Sequence, residues 1–286
     1  MIEPRQKDKA PKKNAPSEQE SPDSPLLSAP PSREMILSTP NQRDESTMKK
    51  AHFVLQKKGG LGKSVTACWL AQYLLNEGET LAVIDTDPSN ATLSSFKALN
   101  GQHIRLMEGT VLKEAKFDLL MNRVLEEDSS FLIDCGASSF IPLNNYMIEN
   151  RVVEMIVESG KDVYVHIVIA GETHLMDTLS GFAEMVEQLP EQAKIIVWLN
   201  EFFGEIKEDG RSFEEMNIYL ENESRVHGIV RVPKQNPATF GVDIEKMLKA
   251  KLTFDEVRQS PDFFVMNKSR LSRVQQEIYH QLKDVL

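Results

Sequence analysis

From Ala51 onward, short continuous apolar runs alternate with longer stretches whose apolar residues recur at helical spacing. The runs are Ala51–Gln56, Thr80–Asp85, Ser130–Asp134, Asp162–Ala170, Ala193–Asn200 and Val226–Val232. None alternates apolar with polar, as a half-solvated strand would. Continuous runs of this length suit parallel strands covered on both faces. Between them, Lys63–Asn76, Val111–Glu127, Leu175–Leu189 and Ala238–Lys251 read as helices. Leu271, Val274, Ile278 and Leu282 place one apolar stripe on a C-terminal helix. The alternation predicts an α/β domain over residues 51–286, a mostly parallel β-sheet flanked by helices on both faces.

The first fifty residues break the pattern. They hold Pro4, Pro11, Pro16, Pro22, Pro25, Pro30, Pro31 and Pro40 and no aromatic residue. Such a segment buries too little apolar surface to offset the entropy of ordering, so residues 1–50 are expected to be a disordered tail. The formal net charge of −10 argues against a surface that coats nucleic acid. DNA contact stays possible only through a local patch such as Arg258, Lys268, Arg270 and Arg273. No apolar stretch approaches the roughly 20 residues of a membrane span, and Met1–Lys13 is too polar for a secretory signal. Cys68 and Cys135 lack metal-ligand spacing, which fits free thiols in a reducing compartment. A cytoplasmic protein without a membrane span is the expectation.

The sharpest signal lies between the first predicted strand and the first predicted helix: Gln56-Lys57-Lys58-Gly59-Gly60-Leu61-Gly62-Lys63-Ser64. A phosphate-binding P-loop requires that setting. Gly59, Gly60 and Gly62 let the backbone turn tightly and bring N–H groups, on through Leu61 and Val65, toward phosphate oxygens. The helix N-terminus adds partial positive charge. Lys63 supplies a full charge near the β- and γ-phosphates, and Ser64 a hydroxyl for Mg²⁺. Lys57 stands where the general motif has glycine.

Two carboxylates close the second run, in Ile84-Asp85-Thr86-Asp87-Pro88, and one closes the third, in Phe131-Leu132-Ile133-Asp134. Ligands of open α/β sheets bind beyond the carboxyl ends of the strands, so all three point toward the nucleotide. Asp134 is a candidate Mg²⁺ ligand of the Walker B kind. For Asp85 and Asp87 the competing reading is an Asx-turn capped at Ser89 or Asn90. Cys135-Gly136-Ala137-Ser138-Ser139 is a candidate switch loop. Asn200 ends the fifth run with an amide that donates and accepts, as an adenine edge demands; a turn-forming cap is its alternative.

Lys58, directly before Gly59-Gly60, resembles the signature lysine of the MinD/ParA-like deviant Walker A P-loop ATPases. The resemblance implies hydrolysis of ATP with Mg²⁺ by a homodimer that closes on ATP. Lys58 would then reach the partner's nucleotide, making Lys58, Lys63 and Asp87 the catalytic set. It implies further that Asp87 orients the attacking water, that Asp85 supports the Mg²⁺ shell or a switch loop, and that Pro233 packs on the base. Many relatives carry prolines just after the position of Asp134, and this chain does not.

A closer resemblance, to the TraL conjugal transfer family of broad-host-range plasmids, rests on several segments. They include Phe53-Val54-Leu55-Gln56, Asp85-Thr86-Asp87-Pro88, Asn90-Ala91-Thr92 and Gly136-Ala137-Ser138-Ser139-Phe140. Leu179-Ser180-Gly181-Phe182-Ala183, Val197-Trp198-Leu199-Asn200 and Leu252-Thr253-Phe254-Asp255 extend it. It implies an accessory ATPase of plasmid transfer with a conjugation or other plasmid-encoded protein as partner.

The functions that compete are an ATP-driven dimerisation switch, a nucleotide-binding scaffold with little hydrolysis, and a ParA-like DNA-partitioning ATPase. Turnover lost on Asp87→Ala favours the first over the second. A small-molecule kinase would need an acceptor pocket, and no residue set for one is evident.

Overall fold

The computed structural model describes residues 48–88 and 90–286. The tail expected over residues 1–50 lies outside them except for its last three positions, as does the cap expected at Ser89. In chain order the elements are β1 (Lys50–Leu55), α1 (Lys63–Asn76), β2 (Leu81–Asp85), β3 (Gln102–His103) and a ribbon of β4 (Met107–Glu108) with β5 (Val111–Leu112). Then come α2 (Glu114–Glu126), β6 (Ser130–Asp134), α3 (Phe140–Glu149), α4 (Val152–Glu158), β7 (Asp162–Ala170), α5 (Leu175–Gln188) and β8 (Ala193–Asn200). A second ribbon of β9 (Lys207–Glu208) and β10 (Arg211–Ser212), α6 (Asn217–Leu220), β11 (Val226–Val232), α7 (Val242–Lys249), α8 (Phe254–Gln259) and α9 (Val265–Val285) complete it.

Seven strands form one sheet in the order β11-β8-β7-β1-β6-β2-β3, each neighbouring pair parallel. Its inner strands β1, β2, β6, β7 and β8 are mostly buried on both faces, which is why they read as unbroken apolar runs; the edge strands β11 and β3 are largely solvent-facing. One core packs Phe53, Phe131, Ile133, Val165 and Val197 against Phe117 of α2, Leu143 of α3, Ile156 of α4 and Phe182 of α5. The other packs Val54, Leu132, Val168 and Trp198 against Leu70 and Leu74 of α1, Phe254 of α8 and Ile278 and Leu282 of α9.

Two expected helices are shorter than their patterns. Val111 and Leu112 pair with Glu108 and Met107 across a turn at Gly109 (φ 62°), so α2 starts only at Glu114. Over Ala238–Lys251, a π-turn occupies Pro237–Gly241, where Asn236 caps Ala238 and Pro237 brings no N–H; α7 follows from Val242.

A polar chain crosses the centre of the sheet. The Trp198 indole can only donate, and its Nε1–H reaches Nδ1 of His166 at 3.0 Å. The His166 proton therefore sits on Nε2, which is 3.0 Å from Nδ1 of His52. His52 in turn carries its proton on Nε2, a buried atom without a hydrogen-bond partner among the described residues. Both imidazoles are fully buried. Burial pushes His166 down to about 3, and burial, then His166 and Lys50, hold His52 well below the usual histidine value.

A base depressed in the folded state is stable as its neutral form. Its contribution is intact above about pH 6.5 and is lost as the pH falls from there toward the folded value. Each ring is expected to cost roughly a factor of ten in the folded-to-unfolded ratio per pH unit below 6.5. Melting curves between pH 7 and 4 check this. Replacement of His52 by Phe is expected to remove about half of the histidine contribution to the slope.

Candidate functional site

The loop from Gln56 to Gly62 joins β1 to α1 at the carboxyl edge of the sheet. Gly60 and Gly62 sit at φ 79° and 92°, the left-handed region that favours glycine. Gly62 is the N-cap of α1, and its carbonyl accepts the Thr66 N–H at 2.8 Å. Side chains anchor both ends of the loop. Gln56 donates to the Val168 carbonyl at 2.5 Å and accepts the Lys57 N–H at 2.7 Å. Asn200 donates to the Leu61 carbonyl at 3.0 Å and accepts the Phe202 N–H at 3.2 Å. A Cβ on Gly62 would stand 2.8 Å from Nδ2 of Asn200. Gly62→Ala therefore combines a strained backbone with a clash. It is expected to cost about 1–3 kcal/mol of stability and to weaken nucleotide binding in parallel, which melting curves and a titration check.

Lys63, at the first position of α1, is buried and donates to the Lys58 carbonyl at 3.2 Å. Burial holds its ammonium below the usual lysine value, and Asp134, then Asp87, oppose that pull. Asp134 ends β6 and is 1% exposed. Neither of its carboxylate oxygens has a hydrogen-bond partner among the described residues. Burial pushes its carboxyl up to about 7; the Ser64 hydroxyl and Lys63 pull it down, while Asp85 and Asp87 push it further up. A buried carboxylate left without donors is costly unless a cation faces it. Among the described residues no group of three or more His, Cys, Asp or Glu could hold a metal ion. The buried Asp134 carboxylate beside Ser64 fits Mg²⁺, which is typically held by one or two carboxylates together with substrate phosphates.

Asp85 is wholly buried, and both its oxygens are engaged: Oδ1 accepts the Asp87 N–H at 3.1 Å and Oδ2 the Ser94 N–H at 2.9 Å. Those bonds hold the loop after β2. Asp87 accepts the Asn90 N–H at 3.1 Å, so the Asx-type turn weighed for this segment is present alongside its exposure to the site. The two loops after β2 and β6 interlock. A Cβ on Gly136 would meet Asp87 and Pro88 at 3.0 Å, and Thr86 Oγ1 donates to the Asp134 carbonyl at 2.9 Å.

Lys58 forms an ion pair with Asp177 in the first turn of α5, and Lys57 pairs with Glu184 of the same helix at 3.2 Å. Gln56 also packs on α5, where a Cβ on Gly181 would stand 2.8 Å from its Oε1. Nothing in the sequence points to these partners, since they lie more than a hundred residues away. Beside the loop opens a cavity of about 640 Å³ lined by Gly60, Gly62, Asn200 and Pro233, with Phe202 and Trp69 among its apolar walls. Asn200 keeps one amide hydrogen and one lone pair for a ligand there. The sheet thus brings every candidate residue to one edge.

The basic patch weighed for DNA is mostly spent internally. Arg258 pairs with Asp255 and bonds Gln275, Arg270 pairs with buried Asp243 at 2.5 Å, and Arg273 stacks over Phe240. Burial pushes the Cys68 thiol up to about 12 and raises Cys135 as well, which leaves both protonated at neutral pH. Among the described residues no helix is long and apolar enough to cross a membrane.

Comparison with known proteins follows the same lines. Residues 52–284 match the family described as CobQ/CobB/MinD/ParA nucleotide binding domain. Two proteins of Escherichia coli, each called Protein TraL, are 40% and 38% identical to this chain over 235 and 237 residues. The matches cover 82% and 83% of this chain and 98% of each relative. Among solved structures, the MinC:MinD cell division complex of Aquifex aeolicus aligns with a TM-score of 0.47 and 14% identity over 82% of this chain and 96% of that one. A plasmid partition protein of Borrelia burgdorferi bound to AMPPNP aligns with a TM-score of 0.43 and 16% identity over 83% and 100%.

Proposed function

Because this chain belongs to the CobQ/CobB/MinD/ParA nucleotide-binding family and, within it, to the TraL proteins, we propose that it is a Mg²⁺-dependent ATPase that alternates between monomer and homodimer in conjugative plasmid transfer. The observation that carries the reading is Asp134, a buried carboxylate whose oxygens have no hydrogen bond of good geometry among the described residues and which only the Ser64 hydroxyl and Lys63 favour as an anion, at the mouth of a glycine-rich loop.

In this reading the N–H groups of Gly59, Gly60, Leu61, Gly62, Lys63, Ser64 and Val65 and the Lys63 ammonium bind the phosphates. Ser64 and Asp134 would hold Mg²⁺, which when bound offsets charge on the phosphate oxygens. Asp85 keeps the loop after β2 in place through its two backbone bonds. Asp87 orients the attacking water, its position fixed by the close approach of Gly136. Asn200 and Pro233 take the base. Phosphoryl transfer depends mainly on such positioning and charge stabilisation, so no strong base is needed.

Lys58 is the sensor. Its pair with Asp177 is exposed, and exposed ion pairs add little stability, so the ammonium is readily exchanged for a more strongly charged partner. A terminal phosphate presented by a second subunit is such a partner. Only a ligand with different affinity for the two states moves the equilibrium, and the γ-phosphate is that difference between ATP and ADP. Mass measurement by light scattering tests this: dimer with Mg·ATP, monomer with Mg·ADP. Monomer with both would remove the switch.

A scaffold with little turnover is the second reading, favoured by the Asp87 carboxylate accepting from its own loop at Asn90. Phosphate release by the wild type, abolished by Asp87→Ala, selects the ATPase; no release with plasmid-encoded partners present selects the scaffold.

A further inference from the structure

The Trp198–His166–His52 chain plays no part in the chemistry above, yet it joins the strands that build the site. β1 runs directly into the phosphate loop, β7 supplies the Val168 carbonyl that Gln56 grips, and β8 ends in Asn200. Trp198 lies two positions before Asn200, on the same side of β8. In register, Val54 stands beside His166 and Val168 beside Trp198, so the chain climbs one step toward the carboxyl edge at each strand. The next rungs up are Gln56 on Val168 and Asn200 on Leu61.

Hydrophobicity alone does not fix this height. β1, β7 and β8 are near-continuous Val, Ile, Leu and Phe, so a slip of two residues would keep every side chain on its face and set apolar against apolar. The polar chain opposes it, because a slipped register strands the indole N–H and the His166 Nε2–H in a dry core. The loop has no slack to absorb an error: Asn200 already stands where a Cβ of Gly62 would be, at 2.8 Å.

We infer that Trp198, His166 and His52 are positioning residues that set the height of Asn200 against the phosphate loop, and so tune nucleotide affinity from the sheet interior. The inference rests on the nucleotide reading of the site. Trp198→Phe keeps a ring and removes the donor. It is expected to fold cooperatively and to bind Mg·ATP about tenfold more weakly. His166→Leu, which keeps an apolar side chain and removes the acceptor that the indole uses, is expected to show the same loss. The effect passes through Asn200, so in an Asn200→Ala background Trp198→Phe is expected to cost nothing further, whereas general loosening of the core would add its own loss.

Calorimetry on wild type, the single variants and the double variant reads this, with melting curves as the control for folding. Wild-type affinity in Trp198→Phe, losses that multiply in the double variant, or failure of both Trp198→Phe and His166→Leu to fold would each overturn the assignment. A wild type with no affinity would instead remove the nucleotide reading itself and this assignment with it.

Discussion

Asp134→Asn is expected to make the nucleotide-free protein more stable above neutral pH while lowering Mg·ATP affinity by about a hundredfold. The two effects share one cause. A carboxyl raised to about 7 in the folded state binds its proton more tightly there than in the unfolded chain, where it titrates near the ordinary aspartate value of 3.8. Folded stability is therefore lost as pH rises through that window, by roughly a factor of ten per unit, and the loss is complete above about pH 7. Asn fills nearly the same volume without a charge, so it escapes the loss and gives up the cation. The buried histidines tilt the same pH range the other way, because their stability grows as pH rises toward 6.5. The diagnostic quantity is thus the difference between variant and wild type. It is expected to be near zero at pH 4 and to grow to a plateau by pH 8. A variant no more stable than wild type at pH 8 would mean that Asp134 is already satisfied by the protein.

Lys58→Ala is expected to leave a folded monomer that binds Mg·ATP and does not dimerise. The side chain is about one-third exposed, and its ion-pair partner Asp177 is more exposed still, so its loss costs the fold little. What disappears is the ammonium that distinguishes ATP from ADP across the dimer. Asp177→Ala is the informative contrast. It frees Lys58 without removing it and is expected to shift ATP-dependent dimerisation only slightly toward the dimer. Light scattering at several protein concentrations separates the two. ATP-dependent dimers in Lys58→Ala would discard the sensing role.

Much of this was legible in the chain because the chemistry is local. Five of the six strand runs are visible since both faces of the strand are mostly buried, which removes polar alternation; the sixth, Val226–Val232, is an edge strand in which only Val230 is buried. The phosphate loop was visible since its geometry is carried by contiguous glycines between a strand and a helix. Asp134 stood out by its place at a strand end. The missing parts depend on distant residues. β3, only Gln102-His103, has no apolar run and exists because Ile84 and Asp85 offer an edge. The pairs Lys58–Asp177 and Lys57–Glu184 join a loop to a helix far along the chain, and one charge among many gives no signal of its partner. Nothing in the runs marks His52, His166 and Trp198 as partners; the sheet order does, by setting β1, β7 and β8 side by side. Asn200 was expected on the base. The turn-forming cap weighed as its alternative is present, since its side chain accepts the Phe202 N–H, and its bond to Leu61 adds a task the sequence hid, because the loop it grips follows another strand.

The most direct measurement is a calorimetric titration of the purified full chain with ATP, in matched buffers with and without Mg²⁺, at pH 7.5. Saturable binding that requires Mg²⁺ and is lost in both Asp134→Asn and Lys63→Ala is the predicted result. Equal binding with and without Mg²⁺, or no binding at all, would contradict the claim that the loop after β1 and the carboxylate at the end of β6 together hold a metal-bound triphosphate.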